Sequence, residues 1–276
     1  MSSADAEEDP TRKQRREQAR AERKALEEAE AAGAARRRRL QLLGGTIGVV
    51  VVAIVIVLIA TGGSSGNNSS LATGKSKVNA VTKEVASLIG GIPQQANALG
   101  NPRAPITLKY FGDLECPICK AFTLNSLPTI INKWVRPGTL RIEYHSLETA
   151  TREPEVFRQQ QVAAYAAGKQ DKAWYFIETF YHEQGEEDSG YVNESYLQGI
   201  AKQVPGLNLS AWMTERGNKT LAGEVEEDAQ AANNEGFTGT PSFLIGRSGG
   251  AMEKLGSGAL EPPTFDSAIE KLLKAS

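Results

Sequence analysis

The stretch FGDLECPICKAF, residues 111–122, contains both cysteines of the chain, Cys116 and Cys119. Just before it, ITLKYFG at 106–112 alternates apolar and polar side chains and reads as a strand. After it, Ile118, Phe122, Leu127, Ile130, Ile131 and Trp134 recur at helical spacing, and Pro128 predicts a kink. The C-x-x-C pair therefore stands at a strand-to-helix junction. There the first sulfur meets the free backbone N–H groups and the positive end of the helix dipole, which favour thiolate over thiol. Pro117 fits the first helical turn, where no N–H partner is needed. Cys119 lies one turn inward, so Cys116 is expected to be the accessible attacker and Cys119 its buried partner.

Other readings of the pair are weaker. A disulfide closing so small a loop would gain little as a staple. A zinc site would have to recruit His145 and His182, the only histidines, and their separation does not match finger spacing. With two cysteines, a multi-disulfide scaffold is excluded. No P-loop, dinucleotide fingerprint or G-x-S-x-G occurs, and sulfur chemistry of this kind needs neither cofactor nor metal.

The rest of the catalytic region, residues 78–276, continues the pattern. A short helix is expected at 79–89, then GIPQQANALGNPRAP as a Gly/Pro-punctuated approach. TLRIEYHSL at 139–147 is strand-like, and helices are expected near 155–168, 171–184, 194–203, 209–216 and 219–234. SFLIG at 242–246 and AMEKLGSG at 251–258 read as a strand pair, and PPTFDSAIEKLLKA closes the chain as a helix. His145 is expected to be structural, and His182 to sit at a helix end. The acidic runs Glu183–Asp188 and Glu224–Asp228 are expected to be solvated, and neither has EF-hand spacing.

Upstream, the chain changes character. Residues 1–39 are rich in Ala, Arg and Glu, carry a net charge of +2 and end in Arg36–Arg39. With few apolar anchors, they read as a solvated, charged tail. LLGGTIGVVVVAIVIVLIA, residues 42–60, has no charge and is long enough for a bilayer, giving a transmembrane anchor at 40–61. A cleavable signal peptide is the competing reading, but the segment before it is too long for the usual n-region. The arginines before the span place the tail in the cytoplasm and residues after the span outside. Residues 62–77, rich in Gly, Ser and Asn, read as a flexible linker. The whole chain has 276 residues and a net charge of −2, which argues against nucleic acid as a partner.

FGDLECPICKAF together with GTPSFLIG at 239–246 resembles the membrane-tethered, DsbA-like thiol–disulfide oxidoreductases of the thioredoxin superfamily, and ALGNPRAPITLKYFGD looks like the usual lead-in of that family. The resemblance covers about residues 93–275. It implies an α/β thioredoxin-like fold with a helical insertion, about 150–235, between the second and third core strands. It also implies that Cys116 and Cys119 are the catalytic, redox-active pair and that Pro241 is cis. The residue before it, Thr240, would then present its backbone to an extended substrate, with its hydroxyl near the Cys116 sulfur. The expected partners are cysteine-containing exported proteins and a membrane or extracytoplasmic redox partner that recycles the pair.

Two departures stand out. Many relatives carry a buried acid six residues before the first cysteine, where this chain has Tyr110. Asp113 and Glu115 are near, so the group that handles the Cys119 proton is open. Ile118 also replaces a histidine that helps stabilise the thiolate in the strongest oxidants of the class, which implies a less extreme potential. Disulfide reduction or isomerisation on the same fold, or a tethered peptide-binding, chaperone-like module, remain alternatives to oxidation.

Overall fold

The computed structural model describes residues 75–255 and 260–274. The tail, the anchor at 40–61 and all of the linker before Lys75 lie outside these residues. Among the described residues no helix is long and apolar enough to cross a membrane.

The first strand expected from the sequence becomes the middle of a six-stranded sheet. β3 (Ile106–Gly112) is buried along almost its whole length because it has neighbours on both sides. β4 (Leu140–Ser146) runs parallel to it, pairing Ile106 with Leu140 and Gly112 with Ser146. β5 (Ser242–Arg247) runs antiparallel on the other side, pairing Phe111 with Ser242, and β6 (Met252–Lys254) follows it as the edge. This register has a direct consequence. The residues after β3, those after β4 and those before β5 all emerge at one end of the sheet.

The sheet is completed by β1 (Gln94–Gln95) and β2 (Ala98–Leu99), a hairpin docked antiparallel on β4. The sequence shows only a Gly/Pro-punctuated approach here. Two-residue strands carry no readable alternation, and tertiary bonds make them: Tyr144 N–H donates to the Asn97 carbonyl at 3.0 Å and Asn97 Nδ2 to the Tyr144 carbonyl at 2.6 Å.

α1 (Lys75–Ile89) precedes the sheet. After β3 the chain continues as α2 (Pro117–Ala121), a π-helical turn at Phe122–Ser126, α3 (Leu127–Ile130) and a second π-helical turn at Ile131–Val135. The expected kink at Pro128 takes the form of the first wide turn, in which Leu127 N–H reaches back five residues to Phe122. Widening the turn accommodates a proline that has no N–H and whose ring crowds the preceding carbonyl.

Between β4 and β5 lie α4 (Pro154–Gly168), α5 (Ala173–Glu183), α6 (Glu194–Ala201), α7 (Leu209–Arg216) and α8 (Lys219–Asn234). Asn193, Asn208 and Asn218 cap the last three by accepting backbone N–H bonds. Trp174 and Trp212 are fully buried, and their indole N–H groups donate to the carbonyls of Asn97 and Ala163. α9 (Pro262–Lys274) packs Phe265 and Ile269 into the core.

The expectation that Glu224–Asp228 is a solvated face needs correction at its last residue. Glu224 does pair with Lys169 at the surface, at 2.9 Å. Asp228 is buried, and accepts from Ser146 N–H at 2.8 Å, Ser146 Oγ at 3.1 Å, the Tyr165 hydroxyl and His145 Nδ1 at 2.6 Å. A carboxylate with four donors from β4 and α4 clamps α8 onto the sheet. His145 is accordingly structural.

Candidate active site

The turn that ends β3 is built around Asp113. Its carbonyl accepts Cys116 N–H at 3.1 Å, which brings the chain into α2 with Cys116 as its N-cap. Its carboxylate is fully buried and accepts the N–H groups of Thr149, Ala150 and Thr151 at 2.9–3.0 Å, the Thr151 hydroxyl at 2.7 Å and Glu115 N–H at 3.1 Å. Five donors leave this carboxylate as an anchor for the loop after β4. Of the two acids left open near the cysteines, Asp113 is thus committed to structure. Glu115 is also buried. Burial is the main cause that raises its carboxyl to about 7, with the Thr151 bond opposing and the charges of Asp113 and Asp188 adding to the rise.

Cys116 and Cys119 are free thiols. Cys116 keeps 5% exposure and Cys119 has none, while Ile118 between them is 50% exposed. Cys119 N–H points at Cys116 Sγ at 3.4 Å, the capping geometry expected of a helix N-terminus. The Cys116 thiol is pulled down to about 6, first by the bond from the Cys119 thiol, against burial, and then by Thr240 and the backbone N–H groups of Cys119 and Ile118. The Cys119 thiol moves the other way, raised by burial and by its bond to and the charge of Cys116. One sulfur is prepared to ionise and the other is held protonated.

The Thr240–Pro241 bond is cis. Cys116 Sγ lies 3.5 Å from the Thr240 carbonyl, to which the thiol form donates. The Thr240 hydroxyl bonds the Thr149 hydroxyl at 2.5 Å, so it is tied to the loop that Asp113 anchors. The site residues singled out in the sequence, Cys116, Cys119, Thr240 and Pro241, are therefore brought together, although more than 120 positions separate the two halves.

Sequence reasoning missed Gln184. Its Nε2 donates to the carbonyls of Leu114 and Cys116, at 2.6 and 3.1 Å, tying the end of α5 to the cysteine turn. A single glutamine after a helix gives no signal of such a role. Below the cysteines, Tyr110, Tyr144 and Tyr181 are fully buried, and burial raises all three hydroxyls well above the usual range, with the Cys119 charge adding to each. Among the described residues no set of three His, Cys, Asp or Glu side chains is arranged to hold a metal.

A sequence model of the thioredoxin family matches residues 94–270, most of the chain. The chain belongs to the thioredoxin family. It is 24% identical over 181 residues to the probable disulfide bond formation protein D of Bacillus cereus, covering 64% of this chain and 78% of that protein. Among solved structures, oxidised BdbD from Bacillus subtilis superposes with a TM-score of 0.56 at 22% identity, covering 68% of this chain and 98% of that one. Wolbachia pipientis alpha-DsbA1 gives 0.54 at 23% identity, covering 65% and 91%. The helical insertion between β4 and β5 is shared with this DsbA-like fold. This thioredoxin-family member is a thiol–disulfide oxidoreductase.

Proposed function

We propose that this thioredoxin-family enzyme oxidises cysteine pairs of exported proteins, with Cys116 as the attacked sulfur and Cys119 as the buried one. A substrate thiolate attacks Cys116 of the enzyme disulfide; the Cys116–Cys119 bond breaks and a mixed disulfide forms. A second substrate thiolate then attacks the substrate sulfur, leaving a substrate disulfide and the reduced enzyme. A membrane or extracytoplasmic partner takes the two electrons and restores the pair. The Thr240–Pro241 backbone beside Cys116 serves as the docking edge for the extended substrate. The anchor at 40–61 holds this domain outside the cell membrane with residues 1–39 in the cytoplasm.

The observation that carries the direction is the Cys116 thiol drawn down to about 6. Stabilising the thiolate stabilises the reduced enzyme, and an enzyme more stable when reduced readily gives up its disulfide. The test is equilibration of the pair with glutathione buffers. A potential more oxidising than about −200 mV is expected, and a value near about −270 mV, the poise of a thioredoxin-type reductant, would overturn oxidation.

A further inference from the structure

The turn that carries Cys116 is held from two directions. On the core side, Asp113 engages its N–H groups. The Asp113 carbonyl accepts Cys116 N–H at 3.1 Å and the carboxylate accepts Glu115 N–H at 3.1 Å. On the side of the helical insertion, Gln184 engages its carbonyls. Gln184 Nε2 donates to the Leu114 carbonyl at 2.6 Å and to the Cys116 carbonyl at 3.1 Å. The contact is returned, because Lys120 Nζ on α2 donates to the Gln184 carbonyl at 3.0 Å. Gln184 follows directly on α5, is buried, and lies 68 positions from Cys116.

The turn depends on such support. α2 has five residues, opens on a proline without an N–H and runs into a π-helical turn. A helix of that length is not stable by its own propagation. Yet the geometry that favours the thiolate is built in its first turn, where Cys119 N–H points at Cys116 Sγ at 3.4 Å. Hydrogen bonds weaken steeply once the donor is turned away. The Cys116 carbonyl lies in the peptide plane that leads into α2, and it also accepts Lys120 N–H at 3.0 Å. Whatever fixes that carbonyl fixes the direction in which α2 starts.

We propose that Gln184 is a positioning residue of the redox centre. By holding the Leu114 and Cys116 carbonyls it keeps the first turn of α2 aimed at Cys116 Sγ. The helical insertion, as well as the core, then sets how readily this sulfur ionises. A primary amide suits the task, since it offers two N–H donors to two carbonyls and brings no charge into a buried position.

The charges around the turn are separate from this bracket. Glu115, on the turn itself, is held up at about 7 mainly by burial, with Asp113 beneath it and Asp188 and Glu187 of the loop after Gln184 adding to the rise. Lys120 stands on α2. Gln184→Met alters none of these groups. It keeps the side chain's length and removes its donors, so a change in Cys116 ionisation would report the lost bonds and not a lost charge.

This role rests on the reading of Cys116 as the attacked sulfur, and the test follows that sulfur directly on the reduced full chain in detergent. Thiolate absorbance of the wild type should titrate with a midpoint of about 6. In Gln184→Met the midpoint should rise by about half to one unit, the worth of one lost neutral hydrogen bond. At pH 7 the equilibrium with glutathione should move about three- to fivefold toward the enzyme disulfide, because the reduced form loses thiolate stabilisation. Asn208→Ala, which removes the cap of α7 elsewhere in the insertion, should lower stability and leave the midpoint in place. Should Gln184→Met not fold, Gln184→Asn carries the same readout: one methylene shorter, it reaches one carbonyl and should give a smaller rise. An unmoved midpoint in the folded Gln184 variant, or an equal rise in Asn208→Ala, would overturn the proposal. Alkylation of Cys119 ahead of Cys116 in the wild type would instead refute the attacked-sulfur reading. A strongly reducing wild-type potential would refute the oxidase direction and leave the comparison of wild type with Gln184→Met intact.

Discussion

The hydroxyls of Thr149 and Thr240 lie 2.5 Å apart although 91 positions separate them. The contact joins the loop after β4 to the residue whose carbonyl faces Cys116. Thr149 is itself held by Asp113, three residues before Cys116, through its N–H at 3.0 Å. Asp113 thus sets both sides of the cysteine: its carbonyl starts α2, and its carboxylate fixes the loop that steadies Thr240.

Removing that carboxylate should be severe. Asp113→Ala would leave five donors around a buried site unpaired, with an expected loss of about 3 kcal/mol or more. Asp113→Asn keeps one acceptor oxygen and should lose less. Urea unfolding of both variants checks this, and a loss below about 1 kcal/mol in Asp113→Ala would show that the loop holds itself.

The reactivity of Cys116 should depend on its partner sulfur. The thiolate absorbance of the reduced wild type should titrate with a midpoint of about 6. In Cys119→Ala the midpoint should move upward, because the largest cause of the lowering is the bond from the Cys119 thiol. An unmoved midpoint would assign the effect to the helix N-terminus and Thr240 instead.

The His145–Asp228 clamp should make stability depend on pH with a definite sign. Burial disfavours the charged ring, yet the bond to Asp228 and the Glu143 carboxylate 3.7 Å from Nε2 outweigh it and raise the histidine above its ordinary 6.5. The folded state therefore binds this proton more tightly than the unfolded one. The added stability is complete below about 6.5 and is lost as pH rises through the raised value. His145→Asn should remove roughly 1–2 kcal/mol at pH 5.5 and flatten that part of the profile, read by thermal or urea unfolding. An unchanged slope would place the pH dependence elsewhere.

The proposed location is tested with the same cysteine. A membrane-impermeant thiol reagent added to intact, reduced cells should label Cys116 if the arginines at 36–39 keep the N-terminal side in the cytoplasm, as proposed. Labelling that appears only after the membrane is broken would place the domain inside.

Much of this arrangement was readable from local pattern. The C-x-x-C junction, the strand at Ile106–Gly112 and the helices Leu209–Arg216 and Lys219–Asn234 follow from the spacing of apolar residues and from Asn caps, which act within one turn or one strand. Pairing Cys116 with Thr240 came from the resemblance of GTPSFLIG to a known family, since spacing cannot join residues 124 positions apart. The tertiary structure alone decided what the carboxylates do. Asp228 looks like the end of an acidic surface run until β4 and α4 supply four donors. Glu178 looks like an ordinary polar position in AWYFIETFYHE until α1 and the helix after Cys119 close over it. A side chain's type and spacing are local properties, whereas the solvation of its charge depends on which distant elements remove the water and which donors they bring.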